Sequence, residues 1–155
     1  MRAGIGFDVH AFKTGRRLIL GGVKIEYHKG LSGHSDADVL VHAIMDALLG
    51  AAGLRDIGIY FPDTDIRYKN ISSLLLLKEV KKILNDKGFE IINIDSTIIL
   101  EKPKVSAYIP EMIKKLSDAL GLDPGRIGIK ATTSEGLGFC GREEGIAAQS
   151  IALLE

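Results

Sequence analysis

The sequence predicts an α+β fold: a single domain over residues 1–155, built as a two-layer sandwich with three helices on one face of a mixed β-sheet. Three observations predict it. Short apolar-alternating runs occur at both ends of the chain and near its middle. Three longer segments repeat apolar residues at helical spacing between start and stop signals. Their order is β, β-hairpin, α, α, β, α, β, β. With 155 residues, 46% of them apolar, the chain is long enough to bury a real core.

The first element is the stretch GIGFDVHAF at 4–12. Ile5, Phe7 and Val9 alternate with Gly6, Asp8 and His10, which reads as a strand with one apolar face and one face carrying a carboxylate and an imidazole. RLILGGVKIEY at 17–27 reads as two strands joined at Gly21-Gly22. The segment 27–35 is a polar loop. Ser35 to Gly50 is the strongest helix, with an S-x-x-D start at Ser35 and Asp38 and acidic residues at 36 and 38. Residues 53–65 carry turn chemistry and read as a loop. A second helix runs from Ile71 to Lys87, capped by Asn70 and stopped by Gly88. Residues 89–100 read as a strand. A third helix starts near Pro110 and ends at Gly121. The strands at 126–133 and 145–155 flank the Gly-rich loop SEGLGFCGREE.

Composition excludes several classes. Lys plus Arg equals Asp plus Glu at 20 each, which argues against a general binder of nucleic acid or of anionic membranes. The single cysteine, Cys140, rules out an intrachain disulfide and a cysteine-cage zinc site. Asp8 and His10 interrupt any signal-peptide pattern, and no apolar run approaches the ~20 residues that span a bilayer. A reducing, cytoplasmic setting with no membrane partner is the expectation.

The chemistry-bearing residues gather in a few places. The helix at 35–50 is apolar nearly all round, yet Asp38, His42 and Asp46 form one file along it at i, i+4 and i+8. One reading is a core histidine flanked by carboxylates that backbone groups satisfy. The other joins His42 to the first strand: two histidines and a carboxylate make a catalytic zinc set with one open position. Spacing leaves open both that choice and whether Asp8 or Asp38 supplies the carboxylate. His34 and Ser35 stand at the expected helix start, where free N–H groups favour anions. ATTSEG at 131–136 offers three hydroxyls and Glu135, a hard oxygen suited to magnesium or manganese. EKPKV at 101–105 brings two lysines around a proline. A metal-dependent phosphohydrolase and a non-enzymatic nucleotide-binding module both fit this inventory.

The stretches GFDVHAF, HSDADVLVHAIMDALLGAAGLRDIG, YFPDTD and IKATTSEGLGFCGREEGIAAQSIALL, in that order along the whole chain, resemble the 2-C-methyl-D-erythritol 2,4-cyclodiphosphate synthase family of the non-mevalonate isoprenoid pathway. The resemblance implies a lyase reaction: the 2-phosphate of 4-diphosphocytidyl-2-C-methyl-D-erythritol 2-phosphate attacks its own β-phosphorus, and CMP leaves. It implies that Asp8, His10 and His42 bind zinc and that Glu135 helps hold a magnesium or manganese ion at the substrate diphosphate. His34 and Thr133 match positions that stabilise the transition state. Ser35, Asp56, Ile57, Gly58 and Asp63 match positions around the methylerythritol phosphate, and Asp8, His10, His34, Phe61 and Asp65 match further substrate-binding positions. Leu100, Lys104, Thr132, Thr133, Ser134 and Glu135 match the cytidine diphosphate end, where Leu100 and Ser106 depart from the family's usual residues. Asp38 and Asp46 are candidates for orienting His42 from behind. The resemblance further implies a homotrimer with active sites between subunits, and an axial cavity lined by Phe139 and Arg142 that takes an isoprenoid diphosphate.

Overall fold

The computed structural model describes residues 1–155. Its centre is a five-stranded sheet. β1 (Arg2–Thr14) pairs antiparallel with β7 (Gly145–Leu154), in register from Arg2 opposite Leu154 to Ala11 opposite Gly145. β7 pairs antiparallel with β5 (Ile91–Ile99), and β5 pairs in parallel with β6 (Ile127–Thr132). β4 (Lys29–Leu31) adds the other edge by pairing with Phe12–Thr14, so the order is β4-β1-β7-β5-β6. The sheet is mixed, as the sequence predicts.

Three long helices complete the second layer: α1 (Val39–Ala51), α3 (Ser73–Asp86) and α4 (Ile109–Leu120). α1 lies on β1 and β7, α4 lies on β6, and α3 packs against both helices. Thirty-four buried apolar residues form one core, and α1 supplies its centre. The hairpin of β2 (Leu18–Leu20) and β3 (Val23–Ile25) stands apart as its own two-stranded ribbon. Gly21 and Gly22 turn it at φ of 57° and 73°, the pair of positive angles that a two-residue hairpin turn requires.

Four local expectations need correction. α1 begins at Val39, four residues later than the Ser35 start, because Ala37 adopts φ 57° and breaks any helix before it. Asp38 is therefore the N-cap itself, accepting from the Val41 N–H at 3.1 Å. The N-cap of α3 is Ser72 rather than Asn70, whose own φ is 58°. The loops at 27–35 and 53–65 contain β4 and a one-turn helix α2 (Ile57–Tyr60), both too short to show a period.

The two faces of β1 are used in an unexpected way. Its apolar residues point away from the helices: Ile5 is 62% exposed and Phe7 58%, and Ile151 of β7 is 51% exposed beside them. The glycine face is the covered one. A methyl group on Gly6 would collide with the Ala43 carbonyl oxygen, and one on Gly4 with the Ala47 carbonyl oxygen. The helix backbone thus lies almost on the strand, an approach only glycine permits.

Candidate metal centre and its cavities

Because α1 sits so close to β1, His42 on the helix reaches Asp8 and His10 on the strand. Asp8 Oδ2 lies 3.0 Å from His10 Nε2 and 3.0 Å from His42 Nδ1, and the two ring nitrogens are 3.1 Å apart. One ligand atom from each of the three residues falls within 4.8 Å of the others. The carboxylate partner is Asp8, not Asp38, which settles the question spacing left open.

The electrostatics of the cluster suit a cation. Burial pushes the Asp8 carboxyl up, but the hydrogen bonds and charges of His10 and His42 outweigh it and hold the group below the usual carboxylate range. Burial pushes His10 down, yet Asp8 more than compensates and raises it above an ordinary imidazole. The field that retains a proton on His10 is the field that draws a metal ion. His10 Nδ1 donates to the Ser32 carbonyl at 2.7 Å, which turns Nε2 toward Asp8 and His42. Two imidazoles and one carboxylate, with a fourth position open to a cavity, fit a catalytic divalent site of the zinc type.

Asp38 and Asp46 do not orient His42. Asp38 is fully buried and accepts from Gly21 N–H at 3.0 Å, Gly22 N–H at 2.6 Å and Val41 N–H. It ties the β2–β3 hairpin to the head of α1. Burial, with the nearby Asp36 charge adding, pushes its carboxyl up to about 6 against the pull of those three donors. Asp46 accepts from the Ile57 N–H at 2.8 Å and so fixes α2. The side chains that do touch His42 from behind are Ser35 and Ser73, at 3.2 and 3.0 Å from Nε2. Ser73 escaped the sequence reading because its only visible signal there was proximity to a helix start.

A cavity of about 390 Å³ opens on the cluster. It brings together His10, His34, Ser35, His42, Ile57, Gly58, Phe61 and Asp63, and adds Tyr68 and Leu76. His34 and Ser35 belong to the turn before α1 rather than to its first turn, and the helix N-terminus is already filled by the Asp38 carboxylate. His34 Nε2 donates to the Asp65 carbonyl at 3.1 Å. The Asp65 carboxylate grips Arg67 at 2.6 Å, and that bond, together with the Arg67 backbone N–H, holds it below the usual range. Asp56 is exposed and N-caps α2.

A second cavity, of about 270 Å³, lies at the ends of β5 and β6 and shares no lining residue with the first. Leu100, Glu101, Lys104, Val105, Thr132 and Thr133 line it. Beside it, Glu101 accepts from the Ser134 N–H at 3.0 Å and shapes the 133–136 turn, in which Glu135 takes φ 54° and accepts from the Thr133 hydroxyl at 3.1 Å. Glu135 is thus not joined to the Asp8 cluster within one chain. Phe139 lies on the one-turn helix α5 (Gly138–Gly141), and Arg142, which follows it, pairs with Glu144 at 2.8 Å.

Comparison with known proteins agrees with this geometry. The model of the YgbB family matches residues 1–155. A 2-C-methyl-D-erythritol 2,4-cyclodiphosphate synthase of Clostridium acetobutylicum is 65% identical over 154 residues, covering 99% of this chain and 99% of that protein. The solved bifunctional IspDF of Campylobacter jejuni superposes with a TM-score of 0.95 at 48% identity; the match covers 99% of this chain and 42% of that longer one. IspF of Plasmodium falciparum, solved as a CDP complex, superposes with a TM-score of 0.86 at 35% identity, covering 99% of this chain and 94% of that one. Matched along its whole length in sequence and in fold, the chain belongs to the YgbB family, the family of the cyclodiphosphate synthase that its motifs resemble.

Proposed function

We propose that the protein, as one cyclodiphosphate synthase domain over residues 1–155, converts 4-diphosphocytidyl-2-C-methyl-D-erythritol 2-phosphate to 2-C-methyl-D-erythritol 2,4-cyclodiphosphate and CMP. This is a phosphorus–oxygen lyase reaction of isoprenoid precursor biosynthesis in the cytoplasm. The observation that carries the proposal is the Asp8–His10–His42 cluster opening into the cavity lined by His34, Ser35, Ile57 and Gly58. The names of the relatives and the CDP bound to one of them support it.

The reaction needs no activated side-chain nucleophile. A phosphate oxygen of the substrate bonds to the β-phosphorus, and the bond from that phosphorus to the bridging oxygen breaks, leaving CMP as a phosphate anion. What the protein must supply is charge neutralisation and a folded-back substrate. The ion that Asp8, His10 and His42 would hold, zinc by its ligand set, would supply positive charge to a bound phosphate, and Glu135 offers a hard oxygen for magnesium or manganese. His34 and Thr133 hold the transferring phosphoryl group. Ser35, Asp56, Ile57, Gly58, Phe61, Asp63 and Asp65 fix the methylerythritol phosphate. Leu100, Lys104, Thr132, Ser134 and Glu135 fix the cytidine diphosphate end. Holding both ends converts a floppy chain into a ring precursor, an orientation effect that reaches about 7–11 kcal/mol in favourable systems.

The same geometry supports assembly as a homotrimer. The two cavities are separate in one chain, and the Ile5, Phe7 and Ile151 face is uncovered. A homotrimer that buries this face places the nucleotide cavity of one copy beside the metal centre of the next, and sets Phe139 and Arg142 around an axial cavity fit for an isoprenoid diphosphate. Incubation with substrate, zinc and magnesium, followed by phosphorus NMR, tests the function. A cyclic diphosphate plus CMP is expected; inorganic phosphate or a linear nucleotide as product refutes it.

A further inference from the structure

Behind His42 runs a chain of polar groups whose direction can be deduced. The Asp36 carboxylate receives the Ser73 N–H at 3.0 Å, the Ser73 hydroxyl at 2.5 Å and the Asp38 N–H at 3.2 Å. A carboxylate only accepts, so the Ser73 proton is committed to Asp36. The Ser73 oxygen is then left to accept, and its other partner, 3.0 Å away, is His42 Nε2. The Ser35 oxygen, 3.2 Å from the same nitrogen, receives the Ala37 N–H and lies 3.5 Å from the Ser73 oxygen, to which its own hydrogen can turn. Nε2 thus faces an acceptor, as Nδ1 faces the Asp8 carboxylate, and with an ion on the Nδ1 lone pair the one ring hydrogen sits on Nε2 and points down the relay.

We propose that Ser73 and Asp36 are positioning residues that act through His42: their one-way relay receives the Nε2 hydrogen and fixes the ring rotation that turns Nδ1 to the ion. Ser73 is fully buried, and Asp36 is anchored twice, by the start of α3 and by its N–H bond to the Ile71 carbonyl at 3.0 Å. The relay thus reports the seating of α3 to the metal centre on α1. The proposal rests on the metal reading of the triad.

The test uses the full chain and two variants. Ser73→Ala removes the acceptor but leaves the backbone bond to Asp36. Asp36→Asn places an amide donor against Ser73 and invites the relay to reverse. NMR of the zinc-loaded proteins reads how fast the His42 Nε2–H exchanges with solvent, and calorimetric titration with zinc reads affinity. In the zinc-loaded wild type, the His42 Nε2–H is expected to exchange slowly. Both variants are expected to lose that protection, and zinc affinity to fall about 10–100-fold while circular dichroism is unchanged. Undiminished protection of that hydrogen in both variants, or zinc affinity within twofold of the wild type, overturns the proposal. If the wild type itself takes up no zinc, the metal reading fails, and the relay's role toward the ion falls with it.

Discussion

Gly6 of β1 lies under the backbone of Ala43 in α1, so closely that a side chain on Gly6 would strike the Ala43 carbonyl oxygen. Ala43 adjoins His42, and Gly6 is two residues from Asp8. The spacing between helix and strand is therefore also the spacing between the metal ligands. Gly6→Ala must push α1 outward, at a cost of about 1–3 kcal/mol from overpacking. Denaturant unfolding is expected to show that loss, and zinc titration a weaker site. A variant as stable as the wild type with undiminished zinc affinity would separate the packing from the site.

Asp8→Ala removes the carboxylate shared by both histidines. Turnover is expected to disappear while the assembly, measured by light scattering, stays intact, because the Asp8 side chain lies on the helix-facing side of β1 and not on its exposed apolar face. Chelation of the wild type is expected to abolish turnover too. Restored activity should require an ion that imidazole accepts together with one suited to the diphosphate.

Phe7→Glu tests the assembly. Phe7 is 58% exposed on a face that also carries Ile5 and Ile151. A contiguous apolar surface of this kind marks an interaction site. The variant is expected to sediment as a smaller species and, with the two cavities no longer brought together, to lose turnover. Unchanged sedimentation would mean that this face is not the interface.

Asp38 gives the fold a pH dependence of known sign. The folded chain holds its proton up to about 6, whereas an unfolded carboxyl releases it near 3.8. Protonation favours the folded state, so this contribution is fully present below 3.8 and is lost as pH rises through 6. At about 1.4 kcal/mol per unit it amounts to about 3 kcal/mol. Asp8, held low, works in the opposite direction, so the clean measure is the difference from Asp38→Asn, which does not titrate at that position. Between pH 4 and 7 the wild type is expected to lose stability relative to that variant. A constant difference would show that the three backbone donors keep Asp38 ionised throughout.

Much of this architecture was legible in the chain. The hairpin could be placed from Gly21-Gly22, the end of α4 from Gly121, and the ligand pair Asp8 and His10 from simple alternation. The choice between Asp8 and Asp38 was not legible, because it depends on how close β1 and α1 come, and the glycines that set that distance look like ordinary strand residues. Asp36 misled for a different reason. Beside Asp38 it reads as a charge at the head of α1, yet the bend at Ala37 turns it to the head of α3, where it meets Ser73. Contacts between residues 37 apart in sequence, such as this one, leave no local pattern.

The central claim is that Asp8, His10 and His42 jointly bind one ion at the mouth of the substrate cavity. Crystals grown with zinc and measured at its absorption edge test it most directly. The account predicts a single strong anomalous peak about 2.0–2.2 Å from Asp8 Oδ2, His10 Nε2 and His42 Nδ1. A peak elsewhere, or one bonded to only one of the three, would contradict it.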